Sequence, residues 1–145
     1  MVICQISFAT PEFDEALALR TEVLRKPLGM VYTLDQLADE WNNIHIAAFG
    51  DGGQVSGYLN LTPLNTISVK MRQVAVASEE QGNGIGVAMV SYSEQLAAML
   101  QFKEIVLHAR KTAVPFYLKL GYEIVGDEFE EVSIPHFKMK KETGF

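Results

Sequence analysis

The chain has 145 residues, of which 48% are hydrophobic and 21% are charged, and its formal net charge is −6 at pH 7. This length suits one domain, and the composition excludes a disordered chain. The acidic balance argues against nucleic-acid binding, which needs a basic face, and no apolar run is long enough to cross a bilayer.

The number of cysteines and the first residues of the chain indicate the cellular compartment to expect. Cys4 is the single cysteine, which excludes an internal disulfide and fits a reducing environment. No basic segment precedes the first apolar stretch, so we expect no signal peptide and a cytoplasmic protein. No cluster of His, Cys or Asp has the spacing of metal ligands, so we predict no metal site.

Strand and helix signals alternate in the first half of the chain. The predicted order is a strand over 2–8, a helix from Pro11 to about Pro27, a short helix over 34–41, and a hairpin of strands 44–49 and 54–61. Thr10 is suited to cap the first helix, and Pro11 is suited to its first position. Gly50 to Gly53 supply the hairpin turn.

Residues Ile67–Val76 predict one long strand with a break in its alternation. Apolar side chains alternate up to Met71, and the apolar positions resume one residue out of phase at Val74 and Val76. A strand that keeps its buried face across such a shift must absorb an extra residue, so we predict a β-bulge near Arg72–Gln73. The alternative is an ordinary central strand whose Gln73 faces a polar pocket.

A glycine-rich turn follows this strand and leads directly into a helix. Glycines Gly82, Gly84 and Gly86 stand two residues apart, which matches neither the dinucleotide fingerprint nor the nucleotide P-loop. The first turn of a helix has free N–H groups and the positive end of the helix dipole, so the segment is suited to hold a phosphate. The alternative is a tight strand–helix connection without a ligand.

The second half of the chain predicts a long helix, a strand, a short helix and two final strands. The long helix spans about 16 residues from Ile85. Its apolar stripe consists of Ile85, Ala88, Met89, Tyr92, Leu96, Met99 and Leu100. The strand covers 103–109, the short helix begins near Pro115 and is closed by Gly121, and the last strands cover 122–125 and 132–140.

Two sequence motifs together resemble the GNAT acetyltransferases. The turn matches Q/R-x-x-G-x-G/A through Gln81, Gly84 and Gly86, and the segment Phe116–Tyr122 matches F-Y-x-K-x-G-F/Y. The segment Ile134–Met139 is similar to that of a small bacterial subgroup of unassigned substrate. The resemblance implies an α/β (α+β) fold with a central, mixed, mostly antiparallel sheet, a β-bulge and about four helices, in one domain over 1–145.

The resemblance also implies acetyl-CoA as the cofactor and an amine, on a small molecule or a peptide, as the acceptor. In this family the glycine-loop amides hold the pyrophosphate, and backbone groups after the bulge pair with the pantetheine arm. Carried over, the cofactor-binding residues are Val74, Ala75, Val76, Gln81, Gly82, Asn83, Gly84, Ile85 and Gly86. Dimerisation is common in the family, although the sequence indicates no interface. No nucleic acid and no membrane is expected as a partner.

The family resemblance assigns a catalytic role to Tyr117, beside the sulfur of the thioester. A phenol has a pKa near 10 and a thiol a pKa near 8.5, so we expect a hydrogen bond that strengthens as charge grows on sulfur. Many members have an Asn seven residues before this tyrosine, where this chain has Arg110 followed by Lys111. The contact that the Asn makes with the cofactor is therefore not carried over.

The general base is not identified by any motif. Many GNAT enzymes use a Glu on the bulged strand, but no carboxylate occurs between Ile67 and Ala77. The open candidates are Glu22, His45, Glu79, Glu80, His108 and His136. Two alternatives to an enzyme therefore remain at this point: a non-catalytic acyl-CoA sensor or regulatory module, and an unrelated nucleotide-phosphate binder.

Overall fold

A computed structural model describes residues 1–144 as eight strands and four α-helices, joined by short turns. The strands are β1 (Val2–Ile6), β2 (Ile44–Phe49), β3 (Val55–Pro63), β4 (Ser68–Val76), β5 (Glu104–Arg110), β6 (Glu123–Ile124), β7 (Phe129–Glu131) and β8 (Ile134–Glu142). The helices are α1 (Pro11–Arg20), α2 (Leu34–Ala38), α3 (Ile85–Met99) and α4 (Val114–Lys119).

The strands form one mixed sheet. Their order is β1-β2-β3-β4-β5-β8-β6, and β7 pairs with β8. The pairing of β4 with β5 is parallel, whereas β1–β2, β2–β3, β5–β8, β6–β8 and β7–β8 are antiparallel. The predicted fold class is confirmed. No helix formed by residues 1–144 is both long and apolar enough to pass through a membrane.

The described residues divide into two compact units. The first unit comprises residues 1–62 and 73–93, and the second comprises residues 63–72 and 94–144. The single acetyltransferase domain over 1–145 stays a prediction.

Helix α1 begins as its sequence predicts and ends in an irregular segment. Thr10 Oγ1 accepts a hydrogen bond from the Phe13 N–H at 3.3 Å, which satisfies one of the free donors of the first turn. After Arg20 the helix widens into a π-helical turn and then tightens into a 3₁₀ turn. Gly29, with φ of +67°, ends the segment in the left-handed conformation that glycine adopts without a steric penalty. On the buried side, Ala16 packs with Val55 and Tyr58.

The β-bulge lies where the break in alternation predicts it. The Leu64 N–H donates to the Ser68 carbonyl at one end of the β3–β4 pairing, and the Ala77 N–H donates to the Ser56 carbonyl at the other, each at 2.9 Å. Between these bonds β4 carries one residue more than β3. Gln73 has φ of +58°, so the extra residue is accommodated there.

The burial of the strand after the bulge differs from the prediction. Val74 and Val76 are only half-buried, whereas Ala75 and Ala77 are buried. The valines were expected to resume the core face, and alanines occupy buried positions instead. Both alternating sets of residues are apolar, so the sequence does not indicate which set is buried.

Helix α3 packs closely against β3 in the first unit. A side chain built on Gly57 would place its Cβ atom 2.7 Å from Met89 Cε and 3.0 Å from Ile85 Cγ2. The predicted apolar stripe holds at Ile85 and Met89, which are buried, but fails at Met99, which is 79% exposed. Met99 is the last residue of α3.

Gly57→Val is expected to destabilise the protein by about 1–3 kcal/mol, because the added methyl groups overpack the contact with α3. Urea denaturation monitored by circular dichroism would measure the change. Gly57→Ala provides the graded comparison, because the Met89 methyl group can move away from a single carbon. A Val variant as stable as the wild type would contradict the expected overpacking.

The end of the chain contains a hairpin that the sequence did not predict. The strand predicted over 132–140 corresponds to β8, which begins two residues later, at Ile134, and runs to Glu142. Val132 and Ser133 both have positive φ, +47° and +62°, and form the turn between β7 and β8. Two-residue turns of this kind favour Asn-Gly or Asp-Gly, and Val-Ser carries no such signal.

Candidate active site

The glycine loop presents open backbone at the start of α3. Gly82 and Gly84 have φ of +87° and +80°, and a Cβ atom built on either would meet nothing within 4 Å. Helix α3 begins at Ile85, so the N–H groups of its first turn have no acceptor within the helix. Positive φ, open space and free amides together fit a pyrophosphate group.

One hydrogen bond joins this loop to the end of β4, and a second joins it to the 3₁₀ turn Ser78–Glu80. The Gln81 side chain donates from Nε2 to the Val76 carbonyl at 3.2 Å, and the Asn83 N–H donates to the Glu80 carbonyl at 3.4 Å. Gln81 therefore braces the loop through its side chain. Val74, Ala75 and Val76 lie at the end of β4, directly before the loop, as the resemblance implies for a pantetheine-binding segment.

A network of aromatic and charged side chains lies behind the bulge in the first unit. The Tyr32 hydroxyl donates to Gln73 Oε1 at 2.5 Å. The guanidinium groups of Arg20 and Arg25 lie 4.4 and 4.5 Å from the centroid of the Tyr32 ring. Tyr32 therefore connects the segment after α1 to the residue that forms the bulge. The sequence offered no signal for this contact, because the two residues are distant along the chain.

Arg20 and Glu40 form a buried ion pair in this network. Arg20 Nη1 and Nη2 donate to the two carboxylate oxygens of Glu40 at 2.7 and 2.6 Å. The two side chains are 0% and 6% exposed. Burial by itself would lower the pKa of Arg20, but the hydrogen bonds to Glu40, together with electrostatic interactions with Tyr58, Tyr32 and Glu40, outweigh it and raise the pKa.

His45 is engaged at both ring nitrogens. Its Nδ1 lies 2.6 Å from the Tyr58 hydroxyl, and its Nε2 lies 2.9 Å from the Glu40 carbonyl oxygen. Since the carbonyl can only accept, Nε2 carries the proton and Tyr58 donates to Nδ1. Burial lowers the pKa of His45 and raises that of Tyr58. His45 therefore has a structural role and offers no free nitrogen to a substrate.

Tyr117 lies on α4 in the second unit, with its side chain largely buried. Its ring makes edge contacts with Phe116 and Tyr122, at centroid distances of 5.0 and 5.6 Å. Burial raises the pKa of Tyr117 to about 12, so the phenol stays protonated at neutral pH. Within residues 1–144 the hydroxyl makes no hydrogen bond with another side chain, which leaves it available to a ligand.

A cluster of titratable side chains surrounds His108 in the second unit. His108 Nδ1 lies 3.1 Å from Glu131 Oε1 and 3.3 Å from Lys70 Nζ. The other carboxylate oxygen of Glu131 lies 3.6 Å from His136 Nε2. Sequence reasoning named both histidines but missed Glu131, because the turn that places β7 beside β8 was not predicted.

The remaining candidate bases lie on the surface. Glu22 pairs with Lys26 at 3.2 Å, and both side chains are more than 60% exposed. Glu79 and Glu80 form a 3₁₀ turn before the glycine loop, with Glu79 exposed. Lys111 pairs with Glu128 at 3.0 Å in a similarly exposed setting.

Residues 20–143 match the family model described as "Acetyltransferase (GNAT) domain". The chain belongs to the GNAT acetyltransferase family. Enzymes of this family use acetyl-CoA as the acetyl donor.

Relatives of this GNAT protein include a Bacillus subtilis protein and several solved structures. "Uncharacterized N-acetyltransferase YjcF" of Bacillus subtilis is 32% identical over 74 residues, which are 50% of this chain and 53% of the relative. The chain thus spans about half the length of the first curated relatives it matches.

Two solved structures share the fold over nearly the whole chain. An aminoglycoside 6'-N-acetyltransferase complexed with coenzyme A has a TM-score of 0.82 at 19% identity, covering 99% of this chain and 97% of its own. An acyl-CoA N-acyltransferase from Pseudomonas aeruginosa has a TM-score of 0.81 at 25% identity, covering 97% and 98%. At this identity the first of these likenesses shows the fold alone.

The GNAT protein departs from many family members in lacking a carboxylate on the bulged strand. The position of the bulge is occupied by Gln73, whose side chain accepts a hydrogen bond from Tyr32. Its base therefore cannot be assigned by transferring a residue from the bulged strand.

Proposed function

We propose that this GNAT protein is an acetyl-CoA-dependent N-acetyltransferase that moves an acetyl group to a primary amine by direct attack. The observation that carries the proposal is the open, positive-φ glycine loop at the start of α3. In this proposal residues 1–145 form one acetyltransferase domain that acts in the cytoplasm.

The chain's own residues bind and orient the donor. The amides of Gly82–Gly86 hold the pyrophosphate, together with the positive end of the α3 dipole. Backbone groups of Val74–Val76 pair with the pantetheine arm. Acetyl-CoA supplies the activated acetyl group as a thioester. An overall charge of −6 is compatible with this anionic donor, because local N–H groups govern the binding.

The acceptor is an amine on a small molecule or a peptide. Buried oxygen atoms of Asn60 and Thr62, Oδ1 and Oγ1, have no hydrogen-bond partner within residues 1–144. Buried acceptors of this kind are satisfied by a bound N–H group or by water. They support an acceptor that donates hydrogen bonds, as an amine does.

The direct test incubates the protein with acetyl-CoA and a panel of amines comprising amino acids, polyamines, amino sugars and short peptides. Release of free thiol shows transfer, and mass spectrometry identifies the product by its added acetyl group. Calorimetric binding of acetyl-CoA without turnover on any amine would instead support a non-catalytic acyl-CoA sensor. Absence of acetyl-CoA binding would overturn the proposal.

Tyr117→Phe is expected to lower kcat by about 10- to 100-fold, because one hydrogen bond to the developing thiolate is removed. Binding of acetyl-CoA is expected to stay unchanged, since the phenol hydroxyl strengthens its contact only as charge forms on sulfur. Steady-state kinetics on the best amine and calorimetry on acetyl-CoA measure the two quantities. Tyr92→Phe, on α3, is the matched control.

A Tyr117→Phe variant with the kcat of the wild type would show that the hydroxyl takes no part in the chemical step. A variant that also loses acetyl-CoA binding would show that Tyr117 contributes to the structure of the cofactor site. Thermal unfolding of both Phe variants establishes that the comparison concerns folded protein.

A further inference from the structure

Two arginine side chains of the first unit lie against the same tyrosine ring, and their charges are treated differently. The guanidinium carbons of Arg20 and Arg25 lie 4.4 and 4.5 Å from the centroid of the Tyr32 ring. Arg20 is neutralised by its two hydrogen bonds to the Glu40 carboxylate. Within residues 1–144, the Arg25 guanidinium group makes neither an ion pair nor a hydrogen bond, so its five N–H donors are available to a ligand.

The π-helical turn Thr21–Arg25 explains how both arginines reach this ring. The Lys26 N–H donates to the carbonyl five residues before it, which is the hydrogen-bond pattern of a π-helix. In an α-helix, side chains five positions apart point about 140° away from each other. The wider turn reduces this angle, so both guanidinium groups lie against Tyr32. Turns of this kind occur frequently at functional sites.

The charge of Arg25 is not matched by the carboxylates of its own segment. Glu22 pairs with Lys26 at 3.2 Å, and Glu40 is engaged by Arg20. Arg25 is nevertheless half-buried, in a protein whose net charge is −6. A partly desolvated cation without an anion is unfavourable, and a carboxylate from a ligand would satisfy it. The planar fork of a guanidinium group fits a carboxylate through two parallel hydrogen bonds.

Tyr32 places Arg25 close to the reacting end of the donor. The Tyr32 hydroxyl donates to Gln73 Oε1 at 2.5 Å, and Gln73 directly precedes Val74–Val76. In the proposed function the pyrophosphate lies at Gly82–Gly86 and the pantetheine arm pairs with Val74–Val76, so the thioester lies towards Gln73. Arg25 is therefore one tyrosine ring away from the residue beside the thioester. All of these residues belong to the first unit.

The charges on this side of the bulge also determine which amines are disfavoured. No carboxylate occurs between Ile67 and Ala77, and that of Glu40 is occupied by Arg20. A polyamine would place a second positive charge beside Arg25, and the two cations would repel each other. An amine that also carries a carboxylate would gain an ion pair at the same position. The arrangement thus discriminates between acceptors by both attraction and repulsion.

We propose that the acceptor is an amino acid, a small molecule with a primary amine and a carboxylate, and that Arg25 selects it by binding the carboxylate. Tyr32 is a positioning residue, because its ring holds the guanidinium group beside the bulge. This inference rests on the proposed N-acetyltransferase function and narrows its acceptor class.

Matched pairs of amines test this selection. Glycine, β-alanine, 4-aminobutyrate and 6-aminohexanoate are compared with their carboxamides, which keep the amine and lose the negative charge. The wild type is expected to use the best of these acids with a kcat/KM about 10-fold or more above that of its amide. Arg25→Met is expected to lower kcat/KM for this acid by about 10- to 100-fold and to leave the amide unchanged. Comparing both proteins on the same substrate cancels the difference in amine basicity between acid and amide.

Further variants separate the fork of Arg25 from charge in general. Arg25→Lys keeps the charge without the planar fork, so we expect an intermediate loss. Lys26→Met is the matched control, because it removes a neighbouring cation that already has a partner and should leave the preference for the acid intact. Tyr32→Leu removes the ring and is expected to lower this preference, whereas Tyr32→Phe restores the ring and is expected to restore most of it.

Binding provides a readout that does not depend on turnover. Calorimetry of each acid on protein saturated with coenzyme A is expected to show binding that Arg25→Met loses. Binding of acetyl-CoA itself is expected to be the same in the wild type and in Arg25→Met. Thermal unfolding of each variant shows that the comparisons are made on folded protein.

The outcomes separate this inference from the proposed function. A wild type that acetylates the amides as well as the acids would overturn the inference and leave the transferase intact. So would an Arg25→Met variant that affects acid and amide equally or loses acetyl-CoA binding. Use of O-phosphoethanolamine or spermidine in preference to every acid would overturn the choice of a carboxylate.

Failure of the chemistry is distinguished by the calorimetric experiment. A wild type that transfers acetyl to no amine, yet binds an acid that Arg25→Met does not bind, would count against the proposed function and support the carboxylate site. A wild type that neither binds nor acetylates any of the acids would overturn the carboxylate site.

Discussion

Gly84→Glu is expected to abolish binding of acetyl-CoA at micromolar concentrations. The new side chain enters the open space above the loop and places a carboxylate beside the pyrophosphate. Two like charges about 4 Å apart repel by about 4 kcal/mol at an effective dielectric constant of 20, which corresponds to about a thousandfold in Kd. Isothermal titration calorimetry with acetyl-CoA measures the loss.

Two variants separate charge from backbone strain in this experiment. Gly126→Glu is the matched control, because Gly126 has a similar φ of +83°, an equally open surrounding and a place outside the loop. Gly84→Ala imposes the strain of positive φ without the charge, so we expect a smaller loss. Retained binding by a folded Gly84→Glu protein would exclude the loop as the pyrophosphate site.

Arg20→Met is expected to destabilise the protein by about 3–5 kcal/mol. The substitution leaves the Glu40 carboxylate buried without its partner, and an uncompensated buried charge is strongly unfavourable. The double variant with Glu40→Met is expected to recover much of this loss, because it removes both charges. Urea denaturation at neutral pH gives the free energies of unfolding.

An exposed ion pair provides the control for this experiment. Lys26→Met breaks the pair with Glu22, whose side chains are 70% and 64% exposed, and is expected to change stability by less than about 1 kcal/mol. Equal effects of Arg20→Met and Lys26→Met would contradict the account of the buried pair.

The fold follows from local signals wherever such signals exist. The cap at Thr10 and the glycine that ends the short last helix each predicted a feature that the structure contains. The β-bulge also lies near Arg72–Gln73 as predicted, although the valines that were expected to resume the buried face are only half-buried. The turn at Val132–Ser133 has no such signal, since neither residue type favours positive φ. Tertiary pairing of β7 with β8 overrides the local preference there.

The candidate site likewise contains features that a local sequence signal predicts and features that no local signal predicts. The glycine loop is local and could be predicted from a short segment, because spacing and conformational freedom are properties of neighbouring residues. The contacts of His108 with Glu131 and of Tyr32 with Gln73 join residues far apart along the chain. Their side-chain types are common on protein surfaces, so the sequence alone could not distinguish them from solvated charges and aromatics.

The buried pair of Arg20 and Glu40 has a consequence for how this protein can change. It joins the two ends of the segment that runs from the end of α1 through α2, so that segment is a closed loop whatever residues it contains. Insertions and substitutions between two fixed ends alter the loop entropy only slowly with length. Apart from Tyr32, whose hydroxyl bonds to Gln73 on β4, the segment can therefore vary in sequence and length while its two ends stay joined.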